Sequence, residues 1–145
     1  ERDLDPYRAL IRNGVPSVMV AHVSFPAIDP RPASMSSWWI IDHLRGELEF
    51  KGAVISDDLS MVGAGVVGAV EVRVARALEA GCDLALVCNA PEKVPAVLRA
   101  LEGYVNPASQ LRLTRLHGRG LTHPGGLRLL HTQLASVADQ GSCNL

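Results

Sequence analysis

No apolar run in this 145-residue chain reaches the roughly 18 residues that a membrane-spanning helix needs, so none is expected. No sign of charge dominates either. The formal net charge is −1, which gives no reason to expect nucleic acid or an anionic membrane as a partner. Cysteines are few and unpatterned: Cys82, Cys88 and Cys143 are odd in number, and no pair has CxxC spacing. Reduced thiols in an intracellular, cytoplasmic protein are therefore expected. The opening segment Glu1-Arg2-Asp3-Leu4-Asp5 lacks the apolar core of a signal peptide. It also lacks an initiating Met, so an upstream portion is expected to precede it. What remains is a chain with 48% hydrophobic residues, the composition of one globular unit.

The apolar residues fall into alternating periods. Leu4, Tyr7, Leu10 and Ile11 share one helical face, and Asn13-Gly14 stops that helix. The run from Val15 to Val23 is short and rich in valine, and reads as a strand buried on both faces. Three prolines in Pro26 to Pro32 exclude a regular helix or a central strand there. Ser36 or Ser37 can cap a helix with Trp38, Ile41, Leu44 and Leu48 inward. Ala53-Val54-Ile55 is a second buried strand, ending in Ser56-Asp57-Asp58. A helix over Val67 to Ala80, closed by Gly81, leads to a third strand at Leu84 to Cys88. Pro91 opens a helix through Leu101, and further helices are expected near 107–117 and 124–137.

This order predicts an α/β fold with about three parallel strands, flanking helices and right-handed crossovers. It suits a doubly wound sheet or part of a (β/α)8 barrel. A whole barrel takes about 250 residues, more than this chain has. The expected division is 1–120 for the partial barrel and 121–145 for a C-terminal helix and tail.

Active sites in parallel α/β folds form at the C-terminal ends of the strands. Two places qualify: Ala21-His22, and Ser56-Asp57-Asp58; Cys88-Asn89 is a weaker third. A carboxylate directly after a buried run must be paired, hydrogen-bonded or at a wet mouth. On these grounds alone, Asp57 or Asp58 reads as a helix cap ahead of a catalytic or metal-binding carboxylate. Adjacent side chains on extended backbone point to opposite faces, so the two carboxylates have different jobs. His22 is open between a structural and a ligand-binding role. His43, His117, His123 and His131 have no partner spacing, and His117 and His123 do not match a zinc motif. No metal and no cofactor are expected.

Several segments resemble the bacterial β-N-acetylglucosaminidases of glycoside hydrolase family 3. They are Val18 to Val23, Ile28-Asp29-Pro30-Arg31-Pro32-Ala33-Ser34, Leu44 to Leu48, and Phe50 through Ser56-Asp57-Asp58-Leu59-Ser60-Met61. Ala80-Gly81-Cys82-Asp83 and Leu86-Val87-Cys88-Asn89 continue the match. The resemblance implies the C-terminal part of a (β/α)8 barrel, with Asp57 as the nucleophile of a retaining exo-glycosidase and His22 near the sugar subsite. It implies N-acetylglucosamine-containing glycans or muropeptides as substrates, in peptidoglycan recycling. Its acid/base, a His supported by an Asp in a Lys-His-Phe-Pro-Gly-His-Gly-like loop, has no counterpart in these 145 residues. The chain alone is therefore expected to be inactive. A family 3 β-glucosidase-like enzyme and a non-catalytic barrel fragment are the alternatives.

Overall fold

The computed structural model describes residues 2–118; the expected helix at 124–137 and the tail at 121–145 lie outside the described residues. A helix α1, Asp5–Arg12, carries Pro6 in its first turn, where a missing N–H costs nothing. The side chain of Asn13 donates back to the Ala9 carbonyl at 2.9 Å, and Gly14 takes φ 76°, so the helix ends there.

Strand β1, Ser17–Val20, runs parallel to β4, Ala53–Asp58, with Ser17 opposite Ala53 and Val20 opposite Ser56. β4 in turn pairs in parallel with β5, Leu84–Leu86, giving the sheet order β1-β4-β5. The expected parallel sheet is present. Its outer strands differ from expectation in being open on one face: Met19 is 61% exposed and Leu84 39%. Both residues are register partners of Ile55, so these side chains form one row across the sheet. The other face carries Val54, which packs into a core with Ile40, Leu44, Phe50, Val74 and Ala77. Helices cover that face alone among the described residues, and this is why β1 and β5 are not buried on both sides.

The proline-rich stretch forms an antiparallel hairpin, β2 (Ser24–Phe25) with β3 (Asp29–Pro32). A two-stranded hairpin consists of edges, so Pro30 and Pro32 deprive no central ladder of a donor.

The helix at Trp38–Glu47 is wound as a π-helix, and its last turn closes with Leu48 N–H donating to the His43 carbonyl at 2.9 Å. The wider turn puts Ile40, Leu44 and Leu48, spaced by four, inward. Ile41, expected inward at α-helical spacing, is instead 44% exposed. Ser36, rather than Ser37, caps this helix, its Oγ accepting from Trp39 N–H at 3.3 Å.

The next helix also starts later than periodicity suggests. Val62–Val67 is 3₁₀, Gly68 has φ 108°, and α2 spans Val70–Glu79. A residue at that φ cannot continue a right-handed helix, so two helical pieces meet at Gly68. Helices α3, Val94–Ala100, and α4, Pro107–Thr114, complete the described chain. No helix among the described residues is long and apolar enough to cross a membrane.

Candidate active site

Alternation along β4 separates its side chains. Val54, Ser56 and Asp58 lie toward the helix-packed side, with Ser56 and Asp58 buried; Asp57 is half-buried and shares the opposite face with Ile55. The two carboxylates at the strand's C-terminal end are thereby given different environments.

Asp58 is a structural clasp. Its carboxylate accepts from Cys88 N–H at 2.9 Å, Asn89 Nδ2 at 2.8 Å, Ser60 N–H at 2.9 Å and Ser60 Oγ at 2.7 Å. Burial pushes its pKa up, but these donors, with Cys88 N–H first, outweigh burial and hold it down at about 2. Ser56 works alongside it, its Oγ accepting from Leu86 N–H at 3.0 Å. The register between β4 and β5 shifts between Ile55 and Asp58. Side-chain oxygens of β4 thus satisfy backbone donors of β5 where the regular ladder gives out.

Asp57 is placed otherwise. Its Oδ1 accepts from Asp58 N–H at 2.7 Å, and among the described residues its carboxylate has no other hydrogen bond and no ion pair. A carboxylate oriented by one backbone donor and otherwise open on the uncovered face of a parallel sheet can act as a nucleophile.

His22 lies just beyond β1 and reaches across to the same strand end. Its Nδ1 is 2.7 Å from Ser34 Oγ, and its Nε2 is 3.0 Å from the Asp58 carbonyl. The structure thus brings His22, Asp57 and Asp58 together, with Asn89 joining from the end of β5. Ser34 and Ser60 were not singled out from the sequence as site residues. A serine is too common for its spacing to reveal a partner 12 residues away, as Ser34 is from His22.

The other charged motif residues lie apart from Asp57. Asp29 is buried and takes Arg31 Nη2 at 2.6 Å and Ser36 Oγ at 2.7 Å. The Arg31 guanidinium, followed by the Ser36 hydroxyl, holds the Asp29 carboxyl well below the usual carboxylate range. A 290 Å³ cleft is lined by Arg31, Met35, Ser37, Arg76, Glu79 and Ala80, and includes neither Asp57 nor His22. His43 pairs with Glu47 at 2.7 Å on the π-helix. No group of three or more His, Cys, Asp or Glu side chains among the described residues is arranged to hold a metal ion.

A carboxylate at the C-terminal end of a central parallel strand, backed by helices on one face, lies where (β/α) barrel enzymes place their active sites. Residues 1–116 match the family model "Glycosyl hydrolase family 3 N terminal domain". The chain belongs to that family. It is 53% identical over 117 residues to a beta-hexosaminidase of Alkalilimnicola ehrlichii, covering 81% of this chain and 33% of that protein. A beta-hexosaminidase of Methylobacillus flagellatus is 44% identical over 129 residues, covering 89% of this chain and 36% of that one. The chain therefore spans about a third of the length of these curated relatives.

Solved structures agree on the fold. A glycoside hydrolase family 3 beta-N-acetylglucosaminidase from Paenibacillus superposes with a TM-score of 0.72 at 37% identity, covering 86% of this chain and 27% of that one. NagZ from Neisseria gonorrhoeae superposes with a TM-score of 0.70 at 34% identity, covering 80% and 32%. The three parallel strands and their helices are part of the family's TIM-barrel-like domain.

Proposed function

We propose that this chain carries the nucleophile-bearing part of a retaining exo-glycosidase acting on terminal β-linked N-acetylglucosamine, with Asp57 as the nucleophile. The observation that carries this reading is the contrast at the end of β4. Asp58 is fully engaged in holding strands together, while Asp57 is oriented by a single backbone donor and open toward the uncovered face. The beta-hexosaminidase names of its relatives support the substrate class.

In this mechanism the ionised Asp57 attacks the anomeric carbon as the glycosidic bond breaks, forming a glycosyl-enzyme that water then hydrolyses. A protonated group on the other side of the sugar must donate to the leaving oxygen and then take a proton from that water. The Lys-His-Phe-Pro-Gly-His-Gly-like loop that the resemblance implies as the carrier of this group has no counterpart in the 145 residues. We therefore propose that the 145-residue chain alone does not turn over. The finer reading is release of N-acetylglucosamine from muropeptides in cytoplasmic peptidoglycan recycling.

The test has two arms. In a complete family 3 enzyme carrying this segment, D57A is expected to lower kcat by at least about 10⁴-fold, as removal of a nucleophile does; near-normal turnover would refute the assignment. The isolated chain should release no nitrophenol from a nitrophenyl N-acetyl-β-glucosaminide, and detectable release would refute its dependence on a missing half.

A further inference from the structure

The nucleophile reading leaves His22 without a task, although its ring joins two strand ends. A carbonyl oxygen can only accept, so the 3.0 Å contact from Nε2 to the Asp58 carbonyl requires a proton on Nε2. In the neutral ring Nδ1 is then an acceptor, and the Ser34 hydroxyl at 2.7 Å must donate to it. Ser34 is itself immobile. It is buried, its N–H donates to the Ala21 carbonyl at 3.2 Å, and its carbonyl receives Cys82 Sγ–H at 3.5 Å. The imidazole is thus held at both nitrogens, with the Asp58 carbonyl requiring one tautomer and the Ser34 hydroxyl fitting it.

The far end of this link is the turn that directly follows Asp57. Met61 N–H donates to the same Asp58 carbonyl at 3.0 Å, closing the turn Asp58 to Met61. His22 donates to that carbonyl as well and anchors the turn to the end of β1. The N–H of Asp58 is the donor that orients the Asp57 carboxylate, at 2.7 Å. Residue 58 is therefore gripped at its carbonyl by His22 while its amide aims the nucleophile. Neither ring nitrogen can bond to a substrate without breaking one of these two contacts.

We infer that His22 is a positioning residue, whose Nε2–H tautomer, required by the Asp58 carbonyl and matched by the Ser34 hydroxyl, holds the backbone at Asp58 and thereby aims Asp57. The inference rests on the reading of Asp57 as nucleophile for its functional meaning, but its geometry is measurable without turnover.

Nuclear magnetic resonance of the ¹⁵N-labelled 145-residue chain tests it. The neutral His22 ring is expected to show a protonated Nε2 and a bare Nδ1; the opposite tautomer would overturn the proposal. In H22L the Asp58 amide should exchange about tenfold faster, the equilibrium equivalent of one net hydrogen bond, while Val18 and Val54 keep their protection. H22Q should restore most of the loss, because its amide N–H can donate to the carbonyl and its oxygen can accept from Ser34. Unchanged Asp58 exchange in folded H22L, or no advantage of Gln over Leu, would overturn the proposal. If H22L fails to fold, S34A supplies the reading: the Nε2–H tautomer is expected to persist, because the Asp58 carbonyl still requires that proton, and an Nδ1–H signal would refute the grip on that carbonyl. Failure of the nucleophile reading is separate, since a complete enzyme that keeps turnover as D57A would leave these spectra as they are.

Discussion

Two buried aspartates stand at opposite ends of the sheet. Asp58 closes the C-terminal end of β4, and Asp83 lies just before β5 at the other end. Both accept from backbone across the β4–β5 pair: Cys88 N–H bonds to Asp58 at 2.9 Å and Val54 N–H to Asp83 at 2.8 Å. Their remaining partners differ in kind. Asp83 is neutralised by two guanidinium groups, Arg45 at 2.6 Å and Arg112 at 2.8 Å, with Ser109 Oγ donating at 2.6 Å. Asp58 has neutral donors alone among the described residues, supplied by short segments at the strand ends. Asp83 therefore ties the π-helix and α4 to the sheet through full charges, whereas Asp58 organises a polar rim beside an open carboxylate. In barrel enzymes the end holding the N-termini of the strands serves stability and the opposite end serves chemistry, and this pair divides the work in that way.

The largest effect is expected from D83A. It leaves Arg45, which is mostly buried, without its counter-charge, and is expected to cost about 3–5 kcal/mol, read as a lower urea midpoint. A loss below about 1 kcal/mol, the usual range of an exposed pair, would show that the two ends are not different in kind. D58N should cost less, about 1–3 kcal/mol, because neutral donors are left imperfectly matched rather than a charge uncompensated. It should also loosen the Asn89 segment, visible as faster amide exchange at Cys88 and Asn89.

Acid should act on both ends. Burial raises the Asp83 pKa, but Ser109, the Val54 N–H and the two arginines lower it further than burial lifts it. Asp58 is held at about 2. An unfolded Asp titrates near 3.9. Folded pKa values below this mean that the unfolded chain binds more protons in acid, so both groups stabilise fully above about pH 4. That stability is lost as pH falls from about 4 toward the folded values. D58N should flatten the dependence of the urea midpoint on pH between about 4 and 2; an unchanged slope would remove Asp58 from the set of depressed groups.

The smallest effect concerns the thiols beside these aspartates. Burial, followed by the charge of Asp83, pushes Cys82 up to about 12, whereas Cys88 is exposed. Alkylation followed by peptide mass mapping should label Cys88 well before Cys82. Equal rates would show that the Asp83 end opens as readily as the other.

Much of this was legible in the chain. The three parallel strands and the stop at Gly14 follow from short-range pattern, because burial on a sheet and the left-handed φ of glycine are local demands. The elements that moved did so for tertiary reasons. The helix at Trp38 could not be seen to be π-wound, since the choice between Ile40 and Ile41 as the inward residue depends on what the turn packs against. Met19 and Leu84 read as buried because apolar strands in parallel sheets usually are; their exposure depends on what covers the sheet.

The site divides in the same manner. Chain order alone dictates that two carboxylates end a buried strand and that alternation must send them to opposite faces. It also determined the family, through motifs whose residue order survives without coordinates. Which carboxylate is spent on structure was decided in three dimensions, by donors from Ser60, Cys88 and Asn89 converging on Asp58. The His22–Ser34 link and the Asp83–Arg45–Arg112 cluster were likewise decided there. A hydrogen bond depends on distance and direction between groups far apart along the chain, and residue spacing carries no record of either.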